Sequence, residues 1–108
     1  MIHADKVKLM DSGTVLFRAG SQEEAVAKVV LALKGAELEE YAPGAFLADF
    51  SDAFFYSVVR AVVEPMSEEG RFAASFQEAH RCRCILWPFP SQKAWRRMDR
   101  IKADVAAE

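Results

Sequence analysis

His80, Arg81, Cys82, Arg83 and Cys84 stand in a row, and their types could do chemistry. In an extended chain His80, Cys82 and Cys84 fall on one face and Arg81 and Arg83 on the other. Imidazole and thiolate are ligands for zinc or copper(I). A structural zinc site commonly draws on a second Cys pair, however, and this chain has only two Cys. The same residues could form a Cys–His nucleophile pair, with Arg neighbours lowering a thiol pKa. Neighbours two apart on one strand rarely supply the third, orienting group. The preferred reading of Cys82 and Cys84 is small buried residues of a core face. Their Cα atoms in a strand would be roughly 6.5–7 Å apart, at the limit for a disulfide, so both thiols are expected to be free. Free thiols suit a reducing cytoplasm. No metal or cofactor is expected.

Charge is the second lead. Residues 81–102 hold seven Arg and Lys against Asp99 alone, whereas residues 1–80 hold seven basic and thirteen acidic side chains. The total of −2 therefore hides two oppositely charged parts. Near the C-terminus, Trp95, Met98, Ile101 and Val105 are spaced for one helix face. Lys93, Arg96, Arg97 and Arg100, at i, i+3, i+4 and i+7, are expected roughly opposite, outward and clear of the core. Such a cationic row suits carboxylates on a protein partner, or phosphates. The bland alternative is a solvated helix face. The acidic remainder of the chain would repel an extended duplex, which makes nucleic acid the weaker candidate.

Trp87-Pro88-Phe89-Pro90 precedes that helix. Core packing is its ordinary role, but a Trp beside Arg residues also makes a binding hot spot. Arg81, Arg83, Trp87, Lys93, Arg96, Arg97 and Arg100 are the expected partner-binding residues. Tyr56, His80, Cys82 and Cys84, with the aromatics of 46–55, would line a pocket if the chain were instead a small enzyme or ligand-binding protein. Asp49 and Asp52 form a carboxylate pair in an apolar region. They could mark an acid/base site, but Asp52 or Ser51 more simply turns or caps the chain.

These residues need a scaffold. At 108 residues the chain has room for one core, and 52% apolar with 28% charged residues is globular composition. The centre of that core is expected in Phe46–Val63, which holds half of the eight Phe. Asp49, Asp52 and Arg60 make that stretch a poor membrane span. The N-terminus lacks the basic and apolar regions of a signal peptide.

The expected elements follow in order. Lys6–Met10 and Thr14–Ala19 alternate and read as a hairpin about Asp11-Ser12-Gly13. Ser21 and Glu24 form a capping box for a helix over 22–34, stopped by Gly35. Pro43 could open a short helix to Phe50, and 36–41 is open between loop and strand. Residues 54–63 favour a strand by β-branched and aromatic content, although Phe54, Val58 and Val62 also share a helix face. A helix over 67–79 follows from Ser67 and the Phe72, Phe76, Ala79 spacing. A strand over 82–89 and a helix over 91–106 complete the chain. The result is an α+β fold, an antiparallel sheet with helices mainly on one face, ferredoxin-like if 36–41 is a strand. The expected role is non-enzymatic binding to an acidic protein partner or a second copy of the chain.

Overall fold

The computed structural model describes residues 8–52, 55–82 and 92–107, with side chains described over 13–52, 56–79 and 96–107. The elements are β1 (Lys8–Arg18), α1 (Gln22–Ala32), β2 (Glu37–Ala42), β3 (Ala45–Asp49), β4 (Phe55–Pro65), β5 (Arg71–Cys82) and α2 (Gln92–Ala106). The five strands form one antiparallel sheet in the order β1-β5-β4-β3-β2. Strands β2 to β5 meander, and β1 closes against β5. The fold is α+β, as its mixture of capped helices and alternating strands implies. It is not the split ferredoxin-like arrangement, because among the described residues α1 is the only helix between strands.

Both helices lie on one face of the sheet. Phe17 of β1, Ala48 of β3, Val59, Ala61 and Val63 of β4, and Phe72, Ala74 and Phe76 of β5 point into that layer. Ala25, Val29, Ala32 and Leu33 close it from α1, and Met98, Ile101 and Val105 from α2. The other face is open, with Leu16 51% exposed on β1. The Ser21 hydroxyl accepts a hydrogen bond from the Glu24 N–H at 3.1 Å, so α1 starts where its capping residue sits.

Three local readings are corrected. Residues 71–79 are strand, not helix. Phe72 and Phe76 are four apart, which satisfies a period of 3.6 and a period of 2 alike. Ala74 between them, and pairing with β4 on one side and β1 on the other, decide for the strand. Residues 67–70 form the turn into β5, closed by Gly70 at φ 80°.

The N-terminal hairpin is instead one long strand with a bulge. Leu9 pairs with Ala79 and Ser12 with Gln77, so three steps on β1 oppose two on β5. The extra residue falls within Met10-Asp11, Ser12 and Gly13 are both paired, and Gly13 does not adopt the positive φ that a hairpin loop would ask of it.

The short helix from Pro43 is strand β3. Pro43-Gly44 turns the chain between β2 and β3, and Gly44 has φ 75°. A Cβ there would meet the Val63 carbonyl oxygen at 2.9 Å, so only glycine fits. The helices over 22–34 and 91–106 and the strand over 54–63 lie within a few residues of their expected bounds. The strand over 82–89 lies outside the described residues apart from Cys82.

Replacing Ser21 by Ala is expected to destabilise the protein by about 1 kcal/mol in urea titration. V59D, which buries a charge beneath both helices, is expected to prevent cooperative folding. A soluble, cooperatively folding V59D protein would contradict this placement of the core.

Candidate functional site

The first turns of α2 lie over the ends of β4 and β5, and the charged residues gather there. Arg97 follows from helix geometry: it is four residues before Ile101, only about 40° round the helix. It therefore borders the buried stripe instead of standing opposite it. Its Nη1 donates to the Ser57 hydroxyl at 3.1 Å, and its guanidinium lies 4.3 Å from the centre of the Phe50 ring. Phe50 is held by the β3–β4 connection. Its N–H donates to the Ser57 carbonyl at 2.8 Å, the Ser51 N–H to Asp49 Oδ1 at 2.8 Å, and the Ser57 N–H to the Ser51 hydroxyl at 3.1 Å. Asp49 and Ser51 thus turn the chain.

Arg100 is tied down as well. Its Nη1 donates to the Ala32 carbonyl at 3.1 Å, in the last turn of α1, where carbonyls lack helical partners. It also pairs with Asp104 at 3.0 Å. Arg96 is exposed. Together Arg96, Arg97 and Arg100 join Lys34 and Gly35 from the end of α1 and Phe50 from the sheet around an open cleft of about 440 Å³. Two separate segments thus bring four cations to one concavity, and a third adds Phe50.

Glu78 lies beneath this cationic layer. Strand alternation puts it on the helix-covered face with Phe72, Ala74 and Phe76, and it pairs across the ladder with Val59. The side chain is fully buried, and among the described residues neither carboxylate oxygen has a hydrogen-bond partner. Burial pushes its pKa from the ordinary 4.5 up to about 7, against the opposing pull of Arg97. Burial lowers the Arg97 pKa, Glu78 and Asp52 raise it, and Arg100 lowers it further.

The expected site residues are distributed unevenly. Arg97 and Arg100 are half-buried and bonded within the protein, not free on an outer face. Tyr56 stands on the open face of the sheet beside Leu47 and Val58, the opposite face from Phe46 and Glu78. His80, Arg81 and Cys82 end β5, in register with Ser57, Tyr56 and Phe55, and their side chains lie outside the described residues. So do the Lys93 side chain and the whole of Arg83, Cys84 and Trp87. Lys34, Ser57 and Glu78 belong to the site without being expected in any, and Phe50, expected among pocket aromatics beside Tyr56, lines the basic cleft instead. A signal for Glu78 existed: in a strand, Phe72-x-Ala74-x-Phe76-x-Glu78 puts the carboxylate on the apolar face, which the helical reading hid. No family model and no curated protein matches the chain.

The raised Glu78 pKa has a stability consequence. Between pH 4.5 and about 7 the folded state holds a proton that the unfolded state has released, so stability falls as pH rises through that window and stays lower above it. Wild type is expected to lose about 1–3 kcal/mol more than E78Q between acid and alkaline ends of this range, read by urea titration. Parallel pH profiles for the two proteins would contradict the assignment.

Proposed function

We propose that this chain is a non-enzymatic binding protein, and that the cleft of Lys34, Arg96, Arg97 and Arg100 engages carboxylates of an acidic protein surface. The observation that carries the reading is the convergence of Lys34, from a different helix, with the three arginines around Phe50. Arginine forks bind carboxylates bidentately, and Arg97 and Arg100 are held in place before any partner arrives, so less side-chain freedom is lost on binding. The chain itself carries a surface of the required kind. Strand β2 is exposed along its whole length at the sheet edge, with Glu37, Glu39 and Glu40 on it. A second copy is therefore the partner favoured here; Arg81, Arg83, Trp87 and Lys93, the other expected partner-binding residues, lie wholly or by their side chains outside the described residues. The same exposed acidic edge weighs against a nucleic-acid duplex. An enzyme pocket lined by Tyr56, His80, Cys82 and Cys84 has less support, because Tyr56 stands on the open face of the sheet. Among the described residues no helix is long and apolar enough to cross a membrane. Free thiols at Cys82 and Cys84 would suit a cytoplasmic setting.

The test uses K34E/R96E, since both side chains are exposed and their reversal should leave folding intact. Sedimentation at ~0.05 M and ~0.5 M salt reads self-association, and a fluorescent hexa-aspartate peptide reads carboxylate binding. Wild type is expected to self-associate and to bind the peptide at low salt, losing both at high salt. The variant is expected to lose about tenfold or more in peptide affinity. A variant that matches wild type in both assays would leave the basic cleft a solvated surface.

A further inference from the structure

Arg97 faces two ways, and Glu78 is the reason this matters. One guanidinium lines the cleft together with Lys34, Arg96 and Arg100, and the same guanidinium is the charge acting on the buried Glu78 carboxylate. Ser57 and Phe50 hold it there, which restrains it from swinging wholly toward either. We propose that an acidic ligand entering the cleft and the ionised Glu78 side chain compete for Arg97, so that binding is coupled to proton uptake at Glu78. This rests on the cleft being a carboxylate-binding site, and adds how that site is regulated.

The physical argument is that of two carboxylates about one cation. An ionised Glu78 offsets part of the Arg97 charge, and in a low-dielectric layer it also repels an incoming anion. A protonated Glu78 does neither. Among the described residues neither Glu78 oxygen has a hydrogen-bond partner, so no described donor holds the ionised form in place. Among the described side chains the surrounding elements supply little else that is charged; on β1, Asp11 stands in the bulge between the Leu9–Ala79 and Ser12–Gln77 pairs that flank Glu78, its side chain outside the described residues. β4 presents Ser57 and Val59 across from Glu78, and the buried side of α1 presents Val29, Ala32 and Leu33. On α2, Arg97 is nearest, with Arg100 acting on Arg97, and Asp52 of the β3–β4 connection acts on Arg97 as well. His80 lies two residues further along β5, so the test has to separate it from Glu78.

The coupling is reciprocal. An anion in the cleft occupies Arg97, which raises the proton affinity of Glu78, and a proton on Glu78 strengthens anion binding by the same factor. Because burial already holds the Glu78 pKa at about 7, the exchange falls where an aspartate ligand stays fully ionised. The proton comes from solvent and returns to it on release. A surface built this way binds acidic partners more tightly as pH falls below neutral, without any change in the charge of the partner.

Isothermal titration of the hexa-aspartate peptide tests this in wild type, E78Q and K34E/R96E. Measurements at about pH 6 and about pH 8, in buffers of different ionisation heat, give affinity and the number of protons exchanged. Wild-type affinity is expected to fall about fivefold or more from the lower to the higher pH, with net proton uptake near neutrality. E78Q, neutral at every pH, is expected to hold the tighter affinity throughout. The wild-type proton count needs no variant and stands even if E78Q folds poorly. Wild-type binding with no pH dependence and no proton uptake overturns the coupling and leaves the cleft reading intact. A pH dependence that persists unchanged in E78Q assigns the titration to another group, and also overturns it. Absence of peptide binding at either pH overturns the cleft reading, and the coupling with it.

Discussion

A carboxylate stands in the layer between the sheet and its two helices, and Arg97 is the charge that reaches it. Such a residue is costly to bury, since its desolvation must be met by a counter-charge or by protonation. The surrounding structure is arranged to hold that counter-charge. Ser57 fixes one nitrogen of Arg97, Phe50 supports its face, and the turn through Asp49 and Ser51 puts Phe50 in position. Arg100 meanwhile ties α2 to the last turn of α1. The cationic cleft is the outward side of this same arrangement. What binds inside and what is offered outside are therefore not separable choices for Arg97.

The one-sided sheet sets where this can happen. On β4 and β5, Val59, Ala61, Val63 and Ala74 surround Phe76 on the helix-covered face, and Met98, Ile101 and Val105 of α2 join the same core. Beside Met98 toward the helix start stands Arg97, bonded to Ser57. Among the described residues of α2 the apolar stripe gives way there to charge. At the other edge, β2 extends past the helices with its carboxylates in solvent. The two charged parts seen in the composition thus become a basic cleft and an acidic edge on one molecule.

Much of the scaffold was legible because single local signals point one way. Ser21 and Glu24 mark a helix start, and Met98, Ile101 and Val105 mark a face that only burial explains. The strand over 54–63 was favoured by its β-branched and aromatic residues, although Phe54, Val58 and Val62 also share a helix face, and β4 runs over Phe55–Pro65. Phe72 and Phe76 were ambiguous, because four residues is a whole number of strand periods and close to one helical turn. Pairing partners from β1 and β4 resolved them, and those are nonlocal. The bulge at Leu9–Ser12 and the hairpin it replaces share the same polar residues, so only the register distinguishes them. The arginines of α2 were visible as a cluster; their anchoring was not. Lys34, Phe50, Ser57 and Glu78 lie far from Arg97 in sequence and meet it only through tertiary structure.

The most direct test of this account is the titration of the Glu78 side chain itself, followed by carboxyl carbon NMR in protein labelled at glutamate. The account predicts a midpoint near 7 in wild type, moving higher in R97M as the opposing cation is removed. A midpoint near the ordinary 4.5, unchanged in R97M, would mean that Glu78 reaches solvent and that Arg97 does not act on it.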